Sequence, residues 1–327
     1  MSIKISVALA AYKGEKYIAQ QLRSLFVQTR RVDEIVIGDD SPDDLTEKAV
    51  KDATADWDGN LVYIRNQKTL GIEGNFLHTV AHTTGDLIFL CDQDDIWHPE
   101  KIEVLANILE RDDHALVAAS CSKMVDVDLK PLGRTIPSDI EATKTIFDAI
   151  NNGKAFPHLI QQKFIISIPG HAMAMKRSLL NCFLAMPPGL PYHDVWLALC
   201  AGLSESLRHS DRILTDYRVH DTNASSPLKR EGWRFARRLG EVIHSKDDIE
   251  HTLLLYRALV GCIPFSPNPP VQANIDFLNR SILYFEGRTR LRKHLPILRI
   301  LFLKYSLFQE YFRMGTGWRA LCRDLFL

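Results

Sequence analysis

The chain has 327 residues, and 40 lysines and arginines balance 40 aspartates and glutamates, so its formal net charge at pH 7 is zero. Zero net charge excludes a protein that binds nucleic acid or another polyanion through its whole surface. Hydrophobic residues make up 46% of the chain, and this length and composition allow a full hydrophobic core and two structural regions.

The six cysteines are scattered and form no Cys-x-x-Cys pair, which argues against a zinc site and a disulfide framework. Reduced thiols are typical of a cytoplasmic protein. The N-terminus lacks the basic region and the cleavage site of a signal peptide, and no stretch of 18 uninterrupted apolar residues predicts a membrane-spanning helix. We therefore expect a cytoplasmic protein.

Apolar runs alternate with segments of helical periodicity over the first 120 residues. Strands are predicted at 3–10, 34–38, 61–65, 87–92 and 116–120, and helices at 15–26, 45–53, 76–83 and 99–110. This alternation predicts an α/β fold whose strands pair in parallel through right-handed crossovers. Beyond it, the sequence predicts an irregular segment at 126–152, strand-like pieces at 170–175 and 213–220, and a helix from Val195.

The predicted strand at 87–92 ends in an acidic run that contains Asp92, Asp94 and Asp95. Carboxylates this close repel one another, and a divalent cation such as Mg²⁺ or Mn²⁺ is a partner that oxygen ligands favour. Because residues i and i+2 of an extended segment point to the same side, Asp92 and Asp94 are predicted to converge. Asp95 has an alternative role as the cap of the next helix.

A second acidic pair, Asp39 and Asp40, follows the strand at 34–38. The carboxyl ends of parallel strands meet at one edge of a sheet, so this pair, the loop at 11–13 and the acidic run are expected to form one site. Asp39 could accept a hydrogen bond from the N–H of a nucleotide base. The glycine fingerprints of dinucleotide-binding and P-loop proteins are absent from the sequence, which excludes those two readings.

For two later residues, Asp194 and His220, a purely structural role is the alternative to a functional one. Asp194 comes just before an apolar helix and could be its N-cap. His220 ends the predicted strand at 213–220 and could be a surface or interface histidine.

Seven pieces of the chain share the order and spacing of a known family: 10–12, 35–41, 71–76, 91–97, 170–175, 193–196, and 217–220 together with Asn223. They resemble family 2 glycosyltransferases, and most of all the rhamnosyltransferase-like members. The resemblance covers residues 1 to about 225. It implies a catalytic domain at 1–225 with the nucleotide-diphospho-sugar transferase fold called GT-A, in which a Rossmann-like mixed sheet is flanked by helices. It also implies inversion at the anomeric carbon.

The resemblance implies roles for individual residues. Asp194 matches the catalytic base. The metal-binding residues that it implies are Asp92, Asp94 and His220. The nucleotide-sugar-binding residues that it implies are Ala10, Tyr12, Asp39, Arg65, Gly71, Asn75, Asp92 and Gln93, and among these Asp39 matches the residue that reads the base. On the acceptor side it implies His171, His193 and Trp196.

Such an enzyme would move a sugar from dTDP-rhamnose or a UDP-sugar to a hydroxyl of a growing cell-surface glycan or lipid-linked saccharide. A divalent metal, Mg²⁺ or Mn²⁺, would offset the charge on the departing diphosphate. Asp194 would take the acceptor proton, and the N-terminus of its helix would favour the ionised form. Two other functions stay open: a sugar nucleotidyltransferase, although residues 10–15 lack the glycine-rich basic loop that it needs, and a non-catalytic carbohydrate-binding relative.

Residues 226–327 differ in character and are predicted to be helical. Nine lysines and arginines lie between Arg288 and Arg323, together with one acidic residue, Glu310. Interspersed aromatic and aliphatic residues make this segment similar to a basic amphipathic element on the inner face of a membrane. The alternative is a helical appendix that packs on the catalytic domain or on the second subunit of a homodimer.

Overall fold

The computed structural model describes residues 3–137, 140–154, 156–160, 168–190, 192–221, 223, 246–294, 303–313, 321 and 324–325. The strands are β1 (Ile5–Ala11), β2 (Glu34–Asp39), β3 (Asn60–Arg65), β4 (Leu87–Asp92), β5 (Ile96–Trp97), β6 (Val117–Val125), β7 (Pro131–Ile136), β8 (Met173–Lys176) and β9 (Leu207–Arg218). The helices are α1 (Ile18–Phe26), α2 (Leu45–Ala53), α3 (Gly71–Ala81), α4 (Lys101–Arg111), α5 (Ile140–Asn151), α6 (Phe156–Ile160), α7 (Leu180–Leu184), α8 (His193–Leu203), α9 (Lys246–Cys262), α10 (Gln272–Arg292) and α11 (Tyr305–Arg313). Short 3₁₀ turns lie at Gly170–Ala172, Arg177–Leu179 and Ile263–Phe265.

The strands of the described residues form one mixed sheet in the order β3-β2-β1-β4-β8-β6-β9-β5, and β7 pairs with β6. Pairing is parallel from β3 through β4, as the alternation of strands and helices predicts. Strand β8, which lies beyond that alternation, runs antiparallel to both β4 and β6. The result is the mixed α/β sheet flanked by helices that the resemblance implies.

Side chains of each central strand alternate between two hydrophobic layers, because successive residues of a strand point to opposite faces. In β4, Leu87 and Phe89 pack with the layer that contains α1, α2 and α4. Ile88 and Leu90 pack with the layer that contains α3, α7 and α8. All four are buried, and this explains the continuous apolar run that precedes the acidic residues.

The register brings the carboxyl ends of the first strands together. Ala10 lies opposite Gly38 in β2 and opposite Asp92 in β4, and Asp39 lies opposite Arg65 in β3. The predicted meeting of three loops at one sheet edge is therefore confirmed.

Some predicted boundaries are wrong. The segment 126–152, predicted to be irregular, contains β7 and α5, and Phe147 and Ile150 of α5 are buried. Helix α3 begins at Gly71 and not at Phe76, and β9 begins six residues before its predicted start. In each case the local pattern is short or polar, and packing against a neighbouring element supplies the missing stability.

The helices after residue 245 pack on the sheet domain. The N–H of Val271 donates to the carbonyl of Leu203 at 3.1 Å, and Leu278, Tyr284 and Tyr311 share one hydrophobic core with Trp196. The predicted boundary at 225/226 and the apolar residues 297–302 lie outside the described residues. None of the helices in the described ranges combines the length and the apolar composition needed to cross a membrane.

Candidate functional site

Three carboxylates follow or end β4, and each has different surroundings. The side chain of Asp92 is 37% exposed. Asp94 Oδ2 forms a hydrogen bond with His220 Nε2 at 2.8 Å and accepts a second one from Asn223 Nδ2 at 3.4 Å. Asp95 is completely buried, and its Oδ1 accepts the backbone N–H of Arg218 at 3.0 Å. The alternative role of Asp95 as a helix cap is wrong, because α4 begins after residue 100.

Asp92, Asp95 and His171 form a group that can hold a metal ion, since their ligand atoms lie within 4.8 Å of one another. His171 Nδ1 is 3.7 Å from Asp92 and 3.6 Å from Asp95, while its Nε2 is bonded to Ser122 Oγ at 2.9 Å. Asp95 Oδ2 is buried without a hydrogen-bond partner among the described residues, and a cation would satisfy it. Two carboxylates and an imidazole therefore fit a divalent ion.

The metal ligands implied by the resemblance are only partly brought together. Asp92 belongs to the group with Asp95 and His171. Asp94 and His220 are bonded to each other, and their role as ligands stays a prediction. Asp95 was missed as a candidate ligand, because a local pattern of charges cannot show that His171, 76 positions later in the sequence, lies beside it.

Burial and charge move the pKa values of two of these carboxyl groups in opposite directions. Burial, together with the charges of Asp94 and Asp92, raises the pKa of Asp95 well above its usual range. Burial also acts to raise the pKa of Asp92, but the hydrogen bond and charge of His171 outweigh it and lower that pKa. The two carboxyl groups that face His171 therefore differ in acidity.

A buried lysine supports this group from α4. Lys101 Nζ donates to the carbonyl oxygen of His171 at 2.5 Å and to Thr215 Oγ1 at 2.9 Å, and it lies 3.6 Å from the centre of the Trp97 ring. Burial lowers the pKa of Lys101 to about 7. Lys101 was not among the predicted site residues. It lies on the buried face of α4 with Leu105, and a lysine among the apolar residues of a helix is a signal that the sequence contains.

Asp194 lies in the first turn of α8, and the N-cap position belongs to Tyr192, so the capping alternative is wrong. Its Oδ1 accepts the N–H of Val195 at 2.8 Å, and the N–H of Gly170 also bonds its carboxylate. Burial raises the pKa of Asp194 and outweighs these bonds. That the helix N-terminus favours the ionised form stays a prediction. The charge of Asp92 also acts on this carboxyl, which places both carboxylates in one electrostatic neighbourhood.

His193 lies beside Asp194 and is 8% exposed. Its ring stacks on Phe76 of α3, with centroids 4.1 Å apart, and neither ring nitrogen has a hydrogen-bond partner among the described residues. A Cβ added to Gly170 would lie 2.7 Å from His193 Nε2, so this turn needs glycine.

The other two predicted acceptor-side residues lie elsewhere. Trp196 is completely buried, and its Nε1 donates to the carbonyl of Cys182 at 2.9 Å, so it is a core residue and its acceptor-side assignment is wrong. His171 is stacked on Tyr217 and faces Asp92 and Asp95, which places it with the candidate metal ligands.

Two hydrogen bonds join Gln93, in the acidic run, to the residue that follows β1. Its Oε1 accepts the N–H of Tyr12 at 2.9 Å, and its Nε2 donates to the carbonyl of Tyr12 at 2.9 Å. The Tyr12 ring is 49% exposed at this edge. Gln93 therefore holds the backbone of a residue that the resemblance places at the nucleotide sugar.

Asp39 lies at the end of β2 and is completely buried. Its Oδ1 accepts the N–H of Ser41 at 2.9 Å, and its Oδ2 accepts the hydroxyl of Tyr63 at 2.5 Å. Its role in reading a base stays a prediction. Arg65 is at the carboxyl end of the neighbouring strand, 3.9 Å from Glu47.

Asp40 shapes the loop before α3. Its Oδ2 accepts the N–H groups of Leu70 at 3.0 Å and Gly71 at 2.9 Å, and Gly71 has a φ of +76°, which glycine adopts without strain. Asn75 is buried in α3, and its Nδ2 donates to the carbonyl of Gly38 at 2.8 Å. Asn75 thus ties α3 to the strand end, and contact with a nucleotide sugar stays a prediction.

The family model described as "Glycosyl transferase family 2" matches residues 6–183. A putative glycosyltransferase EpsE from Bacillus subtilis is 27% identical over 117 residues, which are 36% of this chain and 42% of that protein. An uncharacterised glycosyltransferase from Nostoc sp. is 22% identical over 231 residues, 68% of this chain and 66% of that protein. The chain thus spans less than two thirds of the length of these relatives.

Solved structures share the fold at low sequence identity. Staphylococcus aureus TarS 1–349 in complex with UDP-GlcNAc has a TM-score of 0.53 and 18% identity, covering 97% of this chain and 93% of that one. The mannosyltransferase PcManGT from Pyrobaculum calidifontis, in complex with GDP-Man and Mn²⁺, has a TM-score of 0.54 and 16% identity, covering 99% and 86%.

Proposed function

Because the chain belongs to glycosyl transferase family 2, we propose that it transfers a sugar from a nucleotide-diphospho-sugar to a hydroxyl group, with inversion at the anomeric carbon. The observation that carries the proposal is the position of two carboxylates: Asp92 ends β4 at the carboxyl edge of the sheet, and Asp194 packs on Gly170, next to His171, which faces Asp92. Structures of similar fold were solved with UDP-GlcNAc and with GDP-Man and Mn²⁺, which supports this donor class.

In this proposal Asp194 is the general base. The acceptor hydroxyl attacks the anomeric carbon, the bond from that carbon to the diphosphate oxygen breaks, and the acceptor proton passes to the Asp194 carboxylate. One displacement needs one base and forms no covalent intermediate with the protein. The raised pKa of Asp194 makes its ionised form a stronger base than an exposed aspartate.

The diphosphate end is assigned to the Asp92 side. Asp92, Asp95 and His171 would hold a divalent ion, whose charge offsets the negative charge of the departing diphosphate. Lys101 and Ser122 fix the position of His171 through its carbonyl and its Nε2. Tyr12, Gly71 and Arg65 lie near the same strand ends and are proposed contacts of the nucleotide.

The finer assignments are proposals as well. dTDP-rhamnose or a UDP-sugar is the proposed donor, and a growing cell-surface glycan or a lipid-linked saccharide is the proposed acceptor. A lipid-linked acceptor would place the enzyme at the inner face of a membrane, with the C-terminal helices as its contact. A homodimer formed through the same helices is the alternative proposal.

The test is the Asp194→Asn variant, which keeps the size and the hydrogen bond to Val195 but cannot accept a proton. We expect transfer to fall by roughly 10²-fold or more, the scale of general-base loss, with melting temperature and donor affinity nearly unchanged. The assay measures nucleoside diphosphate released from UDP-GlcNAc, GDP-Man and dTDP-rhamnose with Mn²⁺, using octyl glycosides as acceptors. Asp276→Asn, an exposed aspartate in α10, is the control. Near wild-type transfer by Asp194→Asn would remove the base assignment.

A further inference from the structure

Tyr192 combines a strained backbone with an exposed ring. Its φ is 74° and its ψ is 71°, and among the described residues it shares positive φ with only three other non-glycine residues, Lys13, Leu129 and Glu205. The left-handed region is costly for a bulky side chain, and such strain persists where the surroundings enforce it. Its side chain is 51% exposed. An outlier of this kind two residues before the candidate base calls for a functional explanation.

The backbone of Tyr192 is held from two sides. Its N–H donates to Glu73 Oε1 of α3 at 3.1 Å, and its carbonyl accepts the N–H of Trp196 at 3.1 Å. Glu73 lies two residues after Gly71, at the start of α3. These bonds fix the backbone and leave the ring at the surface, where no ring stack with another described residue holds it.

A second observation at the same place is the adjacent His193, whose ring nitrogens have no hydrogen-bond partner among the described residues although the side chain is more than nine-tenths buried. Buried polar atoms without partners are rare in proteins and cost stability. An exposed aromatic ring, an unpartnered imidazole and the candidate base Asp194 thus occupy three consecutive positions.

We propose that Tyr192 is the platform for the acceptor saccharide. The apolar face of a sugar ring packs on the tyrosine ring and directs a hydroxyl to Asp194, two residues further along the chain. Tyrosine suits this task because it presents a large apolar face with a polar end and few rotatable bonds. The occupant is the acceptor and not the donor, because the base must contact the acceptor hydroxyl and the diphosphate end is assigned to the Asp92 side. This inference rests on the proposed function.

The experiment compares Tyr192→Gly with Tyr192→Phe. The probes are octyl glycosides as acceptors, with water as the competing acceptor, and the donors are UDP-GlcNAc, GDP-Man and dTDP-rhamnose with Mn²⁺. For Tyr192→Gly we expect the ratio of transfer to hydrolysis to fall roughly ten-fold, the scale of one lost aromatic contact, at a melting temperature that does not drop, since glycine adopts this backbone without strain. Tyr192→Phe keeps the ring and should keep the ratio.

The matched control is Glu205→Gly, which relieves the same kind of strain just beyond the opposite end of α8, where φ is 56°. It should leave the ratio at the wild-type value. An unchanged ratio in Tyr192→Gly, or equal losses of transfer and hydrolysis, would overturn the platform assignment. If the wild type releases no nucleoside diphosphate from any of these donors, the proposed function itself fails, and that result is distinct from either outcome above.

Discussion

Two buried histidines, His193 and His209, have the same kind of surroundings in different parts of the fold. Both have ring nitrogens without a hydrogen-bond partner among the described residues, and both stack on a phenylalanine. His193 stacks on Phe76 beside the candidate base, whereas His209 stacks on Phe147, with centroids 3.9 Å apart, between β9 and α5. The same local chemistry therefore occurs once inside the candidate site and once in the core.

The comparison of His193 with His209 leads to a prediction for His193. His193→Phe keeps an aromatic ring on Phe76 and removes two buried nitrogens, so stability should stay the same or rise. If His193 bonds a substrate hydroxyl, transfer should nevertheless fall by about ten-fold or more, since a hydrogen bond to a ligand is worth roughly 1 to 2 kcal/mol. The measurements are melting temperature and transfer rate.

His209→Phe is the control, because it makes the same chemical change outside the site. It should leave transfer unchanged while melting temperature responds as in His193→Phe. Equal transfer rates in both variants would show that His193 only packs.

At the scale of elements, a buried charged network holds the C-terminal helix α10. Arg288 is completely buried and forms an ion pair with Asp324, which also accepts hydrogen bonds from Arg292 Nε at 2.6 Å and from the Tyr311 hydroxyl at 2.5 Å. Arg290 and Arg313 lie within ion-pair distance of Glu286 and Glu310. Four of the nine cations counted in the sequence therefore have carboxylate partners within the chain, and the pairs of Arg290 and Arg313 lie at the surface.

This network predicts a large effect of one substitution. Asp324→Asn leaves buried arginines without a counter-charge and should destabilise the fold by about 3 to 5 kcal/mol, as when one partner of a buried ion pair is removed. Urea unfolding followed by circular dichroism measures the change.

The double variant Arg288→Met with Asp324→Leu removes both buried charges and should recover much of the loss, because apolar replacements of buried pairs are often neutral. A single variant as stable as the wild type would show that the network contributes little.

At the scale of the whole molecule, the ion pairs of the C-terminal cations affect the proposed contact with a membrane. The exposed residues of the described C-terminal part include Lys304 and Phe312, which is 41% exposed. We expect the full chain to bind vesicles that contain phosphatidylserine at low salt, and binding should fall with added salt and in Lys304→Glu. Co-sedimentation measures it, with neutral phosphatidylcholine vesicles as the control.

A lack of vesicle binding would assign a different role to the C-terminal helices. If the protein ignores anionic vesicles at low salt, these helices serve packing or dimer formation instead, in line with the core that they share with α8.

The strands that build the site, and the sheet edge at which they meet, are predictable from the sequence alone. Apolar runs that end in Asp39 and Asp92 predict buried parallel strands, and parallel strands carry their loops to one edge of the sheet. These signals are local, because burial of consecutive residues in one strand is visible as a run of letters. The family resemblance came from the same strand ends and from the segment around Asp194.

The partner of each polar side chain depends on the tertiary structure. Asp95 lies beside His171, Trp196 fills the core, and Asp39 bonds Tyr63. Each of these contacts joins residues far apart in sequence or depends on how a helix face packs, and no local spacing encodes it. The raised pKa of Asp194 has the same origin, because its burial exists only in the folded chain and outweighs the hydrogen bonds from Val195 and Gly170.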